Sequence, residues 1–459
     1  MKKFLPTVVI SGLSGGAGKT LCTIGLIAEL KSRGLKIAPF KKGPDFIDMA
    51  WLSLAARRQC RNLDVYLMGE KKTEDSFFRW SYDVDISIIE GNRGLFDGFD
   101  KKGSFSTANL AKLLLSKVIL IVNCTKMTNS VAAILMGCQN FDLKLKISGV
   151  ILNRVAGSRH EKILKDSISY HTDMPVVGVI PKLKEDLIFE RHLGLLPPQE
   201  HDEAGRIIEK TRKIVRRYLD TDDIVKLVEN KPNPEYKSEK INNIETTKKK
   251  IQRISTTGTV GIFRDQAFNF YYPENIESLK MCADNVIEIN SITDTALPDI
   301  DFLYIGGGFP ETQAKLLEKN TKFMKSLKHA VENGLKVYAE CGGLVYLGMS
   351  LIYRQKRFSM TGIFPVHFDF SPKPRGHGYT CIKIVKRNPF FKVGTVLKGH
   401  EFHYTYPVST EKLHFVGEVN RGYGFNGRQD CIIYKNVFAL YTHIHAQSME
   451  DWGKLFLSG

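Results

Sequence analysis

The stretch Ser11-Gly12-Leu13-Ser14-Gly15-Gly16-Ala17-Gly18-Lys19-Thr20 constrains this chain more than any other feature. It ends the apolar run Thr7–Ser11 and opens a helical pattern over Thr20–Arg33. A glycine-rich turn between a buried strand and a helix lets backbone N–H groups surround phosphate, and it belongs at the C-terminal edge of a parallel sheet. Gly12, Gly15, Gly16 and Gly18 are predicted to cradle the phosphates of ATP. Lys19 would reach the β and γ phosphates, and Thr20 would ligate Mg²⁺. Gly12 lies six residues before Gly18, one more than the common spacing allows.

The rest of the first half agrees with a parallel α/β sheet. Short apolar runs at Lys36–Phe40, Ile86–Glu90, Val118–Val122, Ile147–Leu152 and Val176–Ile180 read as strands buried on both faces. Helical stretches such as Thr107–Leu115 and Thr128–Asn140 lie between them. At 459 residues the chain exceeds what one core supports. Residues 1–229 form the expected first domain, and a Pro- and Lys-rich stretch at 230–257 the expected linker. A second α/β series fills 258–459, with strands at Thr259–Phe263, Val286–Ile289, Phe302–Ile305 and Lys336–Ala339 and β-richer runs beyond Thr361.

Composition removes several classes. Eight cysteines are scattered without a C-x-x-C pair, so neither a disulfide framework nor a zinc site is expected. The longest apolar window, Leu113–Cys124, is interrupted by Lys117 and cannot span a bilayer. The start, Met1 to Pro6, lacks the apolar core of a signal peptide, and the expectation is a cytoplasmic protein bound to no membrane. The formal charge of +17 is spread along the chain without a nucleic-acid motif. It fits a solubilising surface or a site for polyanionic small molecules, with no nucleic-acid partner expected.

Two acidic segments follow the loop. Asp45 and Asp48 come directly after the second strand, and Glu90 ends a strand ahead of Gly91 and Gly94, with Asp97 beyond. Carboxylates there face the ligand edge of an open sheet. Glu90 is the natural Mg²⁺ ligand beside Thr20, with Asp48 as a third candidate. Asp45 and Asp48 also suit plain helix capping. In the second half, Tyr338-Ala339-Glu340-Cys341-Gly342-Gly343 runs from strand into helix. A cysteine on such a turn is expected to be exposed, with its thiolate favoured by the helix N-terminus. Gly307 and Gly308, after another strand, could donate amides to an oxyanion, and His443 or His445 could serve as base. These are the parts for hydrolysing an amide through a thioester.

Taken together, the long phosphate loop, Pro39–Asp48, Glu90–Gly98, Gly306–Glu311, Ala339–Leu347, Gly399–Tyr404 and Tyr441–His445 resemble the cobyrinic acid a,c-diamide synthase family over nearly the whole chain. The resemblance implies a dethiobiotin-synthetase-like P-loop domain followed by a flavodoxin-like class I glutamine amidotransferase domain. It implies that ATP activates a carboxylate of a tetrapyrrole polycarboxylate and that L-glutamine supplies ammonia. It makes Cys341 the nucleophile and His443 the base, sets Asn153 at an adenine-contacting position, and admits a homodimer. Lys42, Asp45 and Asp97 fall on the substrate segment.

Departures accompany the likeness. Ile444 and His445 stand where many class I amidotransferases carry Pro and Glu, which leaves a Cys–His pair without an evident acid. Lys42 replaces an apolar residue, and Arg57, Arg58 and Arg61 follow, which would suit a substrate with more carboxylates than cobyrinic acid, such as nickel sirohydrochlorin or sirohaem. The reading from another class is a ParA/MinD-like switch ATPase; Ser14 stands where that group carries a lysine.

Overall fold

The computed structural model describes residues 5–183, 190–191, 194–195, 198, 203–229, 258–410 and 412–456. The expected linker at 230–257 and the first four residues lie outside them. The chain divides into two compact units, Met1–Ile251 and Gln252–Gly459.

In the first unit, the described residues build a seven-stranded sheet from β1 (Thr7–Gly12), β2 (Ile37–Lys42), β3 (Arg61–Leu63), β4 (Ile86–Glu90), β5 (Lys117–Asn123), β6 (Ile147–Val155) and β7 (Val176–Pro181). The order is β3-β2-β4-β1-β5-β6-β7, and every pairing is parallel. Strands buried on both faces need continuous apolar runs, which is why Val8, Val9, Ile10, Ile119, Leu120 and Ile121 are fully enclosed. β3 was not expected; its three residues, Arg-Asn-Leu, are too short and too polar to show a strand pattern. Register sets the site. Ile10 and Lys41 both pair with Glu90, so the loop after β1 and the end of β2 meet at one carboxylate.

The second unit carries a ten-stranded sheet. Its strands Asn285–Ile289, Thr259–Phe263, Phe302–Ile305, Lys336–Glu340 and Val437–Leu440 are parallel, and the remaining five extend it as antiparallel ribbons. The expected flavodoxin-like character belongs to the parallel part. The β-rich region beyond Thr361 prolongs that same sheet, and partly forms a separate four-stranded sheet with Ser350–Tyr353. Apolar clusters cover both faces of the large sheet, centred on Phe263, Leu344 and Phe368 on one side and Tyr304, Tyr338 and Trp452 on the other. No helix among the described residues is long and apolar enough to cross a membrane.

Candidate active site

The phosphate loop closes on itself in this structure. Lys19 Nζ donates to the Ser14 carbonyl at 2.8 Å, and burial together with Lys41 holds its pKa below the usual lysine value. A desolvated ammonium beside a second cation is a site that favours a polyanion. Gly18 takes φ 100°, and a Cβ there would lie 2.4 Å from Asn153 Nδ2, so backbone conformation and close approach both demand glycine. Asn153 Nδ2 donates to the Ala17 carbonyl at 2.9 Å, and its Oδ1 accepts from Arg154 N. Asn153 thus braces the loop, a role that the position alone did not disclose.

Glu90 is the hub of this unit. Its Oε1 accepts from Thr20 Oγ1 at 2.8 Å and from Lys41 Nζ at 2.8 Å, while Lys41 Nζ also reaches Asp48 Oδ2 at 2.5 Å. Lys41 was missed as a site residue, because a lysine inside an apolar strand carries no motif. Burial works against its charge, but Asp48, Glu90 and Asp45 outweigh that and raise its pKa. Breaking such a buried pair from one side costs about 3–5 kcal/mol, because it leaves a charge uncompensated. Burial pushes Glu90 up to about 7 against the pull of Lys41.

The acidic segments divide their work. Asp45 Oδ1 accepts from Asp48 N at 2.8 Å and so caps the helix Ile47–Ala56, whereas Asp48 turns to Lys41. Burial and the Asp48 carboxylate push Asp45 up to about 6. Asp97 Oδ2 accepts from Gly94 N at 2.9 Å, fixing its own loop. Lys42 is buried, its pKa lowered by that burial with Asp64 opposing. Of the arginines that follow, Arg58 pairs with Asp83 at 2.8 Å, and Arg61 is buried with its guanidinium 3.8 Å from the Trp80 ring centre.

Glu90 Oε2 is buried without a hydrogen-bond partner among the described residues. An unsatisfied carboxylate oxygen beside the Thr20 hydroxyl is a hard-oxygen donor set that fits Mg²⁺. Among the described residues no three His, Cys, Asp or Glu side chains form a metal cage. An ion here would therefore lean on substrate phosphates for the rest of its coordination, as Mg²⁺ commonly does.

In the second unit Cys341 follows the strand Lys336–Glu340 and precedes the helix Gly342–Tyr346. Its φ of 49° and ψ of −104° are strained for a non-glycine residue, as in a nucleophile elbow. Its N–H donates to the Leu440 carbonyl at 2.8 Å, which pins the elbow to the strand Val437–Leu440. Two expectations need correction. Cys341 is buried, at 6% exposure, and its thiol is pushed well up by burial and by the Glu311 carboxylate, with only the Gly342 N–H working the other way. A five-residue helix is too short to offset that desolvation. The resting thiol is protonated, so alkylation of Cys341 should rise about tenfold per pH unit between pH 7 and 9 without a plateau. Peptide mass spectrometry after brief iodoacetamide treatment reads this; a plateau below pH 8 would contradict it.

Gly307 and Gly308, the expected oxyanion donors, lie beside the elbow. The Gly307 carbonyl accepts from Asn269 N and Phe270 N, and in a trans peptide the Gly308 N–H then points to the opposite side. A Cβ on Gly342 would sit 3.2 Å from Gly308 N, and one on Gly307 would sit 2.3 Å from His443 Cε1. The glycine loop thus packs closely against the turn after Cys341 at Gly308 and against His443 at Gly307. His445 is engaged elsewhere: its Nδ1 accepts from Gln447 N, and its Nε2 lies 3.5 Å from Glu274 Oε2. Glu340, immediately before the nucleophile, lies with its Oε2 3.4 Å from His443 Nδ1. Sequence reading passed over it, because strand alternation alone does not say which strand neighbour it will meet.

Comparison with known proteins places these two sites in one class. Residues 8–196 match the CobQ/CobB/MinD/ParA nucleotide binding domain, and residues 259–451 match the CobB/CobQ-like glutamine amidotransferase domain. The class is that of glutamine-hydrolysing carbon–nitrogen ligases. The chain is 39% identical to the cobyrinate a,c-diamide synthase of Magnetococcus marinus, over 98% of this chain and 96% of that one. The corresponding protein of Archaeoglobus fulgidus is 37% identical, with 99% and 97% covered, and that of Caldanaerobacter subterraneus subsp. tengcongensis 35%, with 98% and 97%. The chain belongs to the cobyrinate a,c-diamide synthase family.

Proposed function

We propose that this enzyme amidates the a and c carboxylates of cobyrinic acid in cobalamin biosynthesis, using ATP and glutamine-derived ammonia. The observation that carries the reading is full-length similarity to proteins of that name, joined to a Thr20 hydroxyl on Glu90 beside the phosphate loop and a strained cysteine on a strand-to-helix turn next to the glycine loop that packs on His443. In the first unit, N–H groups of Gly12, Gly15, Gly16 and Gly18 cradle the phosphates of ATP. Lys19 swings from the Ser14 carbonyl to the β and γ phosphates. Thr20, Glu90 and Asp48 would hold Mg²⁺, which would neutralise phosphate charge. Lys41 stays between Glu90 and Asp48 and keeps both carboxylates oriented. The substrate carboxylate attacks the γ phosphate in line, and positioning and charge neutralisation supply most of the catalysis. Lys42, Asp45 and Asp97 border the substrate segment, and Asn153 steadies the loop.

In the second unit Cys341 attacks the side-chain amide of glutamine, and His443 takes the thiol proton and passes it to the departing ammonia. Amides of Gly308 and Gly342, with the Gly307 backbone against the imidazole, stabilise the oxyanion. Water then releases glutamate from the thioester. The ammonia displaces phosphate from the acyl phosphate. The cytoplasm suits this chemistry, since every cysteine among the described residues is a free thiol and Cys341 must remain reduced.

Mass spectrometry of products from cobyrinic acid, nickel sirohydrochlorin and sirohaem, each with ATP and glutamine, tests the assignment. Gain of two amides on cobyrinic acid supports it; gain on a sirohydrochlorin compound alone moves the substrate, and ATP turnover stimulated by lipid or DNA without glutaminase would favour the switch ATPase. In the same assay, Glu90→Gln and Asp48→Asn should each lower synthesis at least about a hundredfold while the protein stays folded. Parent rates in both would reduce these residues to a strand end and a lysine partner.

A further inference from the structure

Class I amidotransferases commonly draw a third residue, an acid, from just beyond the catalytic histidine, and here His445 occupies that place and is spent on Glu274 and Gln447. A base of this kind still needs one ring nitrogen fixed, because only the tautomer protonated on Nδ1 leaves Nε2 free to accept the thiol proton. Glu340 is arranged to fix it. It is 1% exposed, closes the strand that delivers Cys341, and its Oε2 lies 3.4 Å from His443 Nδ1.

Three donors hold this carboxylate in place. Tyr304 Oη donates to Oε2 at 3.2 Å, Tyr338 Oη to Oε1 at 3.0 Å, and the backbone N–H of Ile444 to Oε1 at 3.2 Å. Burial and then Glu340 push both phenols well above the usual tyrosine value, so they remain donors. The Ile444 bond matters most for geometry, since it ties the carboxylate to the residue next to His443. On the other face of the imidazole, His400 stacks with ring centres 4.9 Å apart, and its Nδ1 meets Tyr272 Oη at 2.9 Å. Burial and His443 keep His400 neutral, so it does not compete as a cation for the acid. Two other buried acids of this unit bond to backbone N–H groups: Glu401 accepts from Tyr423 N and Gly424 N, and Asp430 accepts from Tyr441 N.

Resting on the Cys341–His443 reading, we propose that Glu340 is the positioning acid of this pair, supplied by the residue before the nucleophile and not by the histidine's own strand. Glu340 Oε2 accepts the Nδ1 proton of His443. Nε2 then takes the Sγ proton as sulfur bonds to the amide carbon, and the imidazolium is held beside the Glu340 carboxylate. That same proton leaves with the ammonia when the C–N bond breaks, which returns His443 to its starting tautomer. The carboxylate itself is never protonated.

Glutaminase kinetics of the full-length protein test this, with Cys341→Ala in parallel and ammonia-dependent synthesis as the folding control. Glu340→Gln should lower kcat for glutamine about 10²–10⁴-fold with KM within twofold of the parent, because the pocket is intact and the base is mis-tautomerised. A rate within threefold of the parent would overturn the proposal. Nitrogen-15 NMR of labelled histidine in the unmutated protein, with His443 assigned by its loss in His443→Gln, supplies a measurement independent of how the variant folds. Protonation on Nδ1 is expected, and protonation on Nε2 overturns it. If Cys341→Ala still hydrolyses glutamine, the site reading itself falls; if Cys341→Ala is inert while Glu340→Gln is unaffected, only the role of Glu340 falls.

Discussion

Replacing Cys341 with alanine is expected to remove glutamine-dependent amidation by at least about 10³-fold, while ATP-dependent amidation persists when an ammonium salt is supplied. In the proposed mechanism the sulfur forms the bond to glutamine, and free ammonia needs no thioester to reach an acyl phosphate. High ammonium concentration at mildly alkaline pH is required, because only neutral ammonia is nucleophilic. The substitution also relieves no large steric demand: alanine keeps the Cβ at the strained φ of 49° and leaves the Cys341 N–H on the Leu440 carbonyl. Loss of both activities together would mean that the substitution had damaged the first unit as well, and circular dichroism of the variant would show it. Retention of glutamine-dependent synthesis at the parent rate would end the amidotransferase assignment for this residue.

Lys19→Ala should show the opposite split. Synthesis falls about 10³-fold or more with either nitrogen source, and most of the intrinsic glutamine hydrolysis remains. The argument rests on charge. Lys19 and Lys41 are both buried, and Lys41 is compensated by Asp48 and Glu90, whereas Lys19 Nζ donates to a neutral carbonyl until phosphate arrives. Removing the ammonium takes away the cation that, in the proposed mechanism, faces the transferred phosphoryl charge. The loop itself should survive, since Gly18 and its contact with Asn153 do not involve the lysine side chain. Rates of product formation and of glutamate release, measured in the same preparation, read the split. Unimpaired synthesis would remove Lys19 from the nucleotide site.

The phosphate loop, Glu90, Cys341 and His443 stand out as candidates in the sequence because each lies at or just beyond an apolar strand, and strand ends are set by local pattern. Arg58 and Arg61 show the complementary limit. Charge near a motif in sequence says nothing about the face on which a side chain emerges, and Asp83 and the Trp80 ring take these two. The buried state of Cys341 was equally hidden, because the strands that enclose it come from residues far along the chain.

Local sequence established the alternation of apolar strands and amphipathic helices, the phosphate loop, the nucleophile turn and the change of composition between the halves, since these depend on side-chain periodicity and backbone chemistry within a few residues. Register decided everything that required two distant segments. Pairing Lys41 with Glu90 across β2 and β4 put a buried cation between the Glu90 and Asp48 carboxylates. Pairing Glu340 with Leu440 fixed the elbow strand beside the strand leading to His443, and the Ile444 N–H then met the Glu340 carboxylate. Strand register is a property of the whole sheet, settled by burial on both faces at once, and no window of the chain contains it.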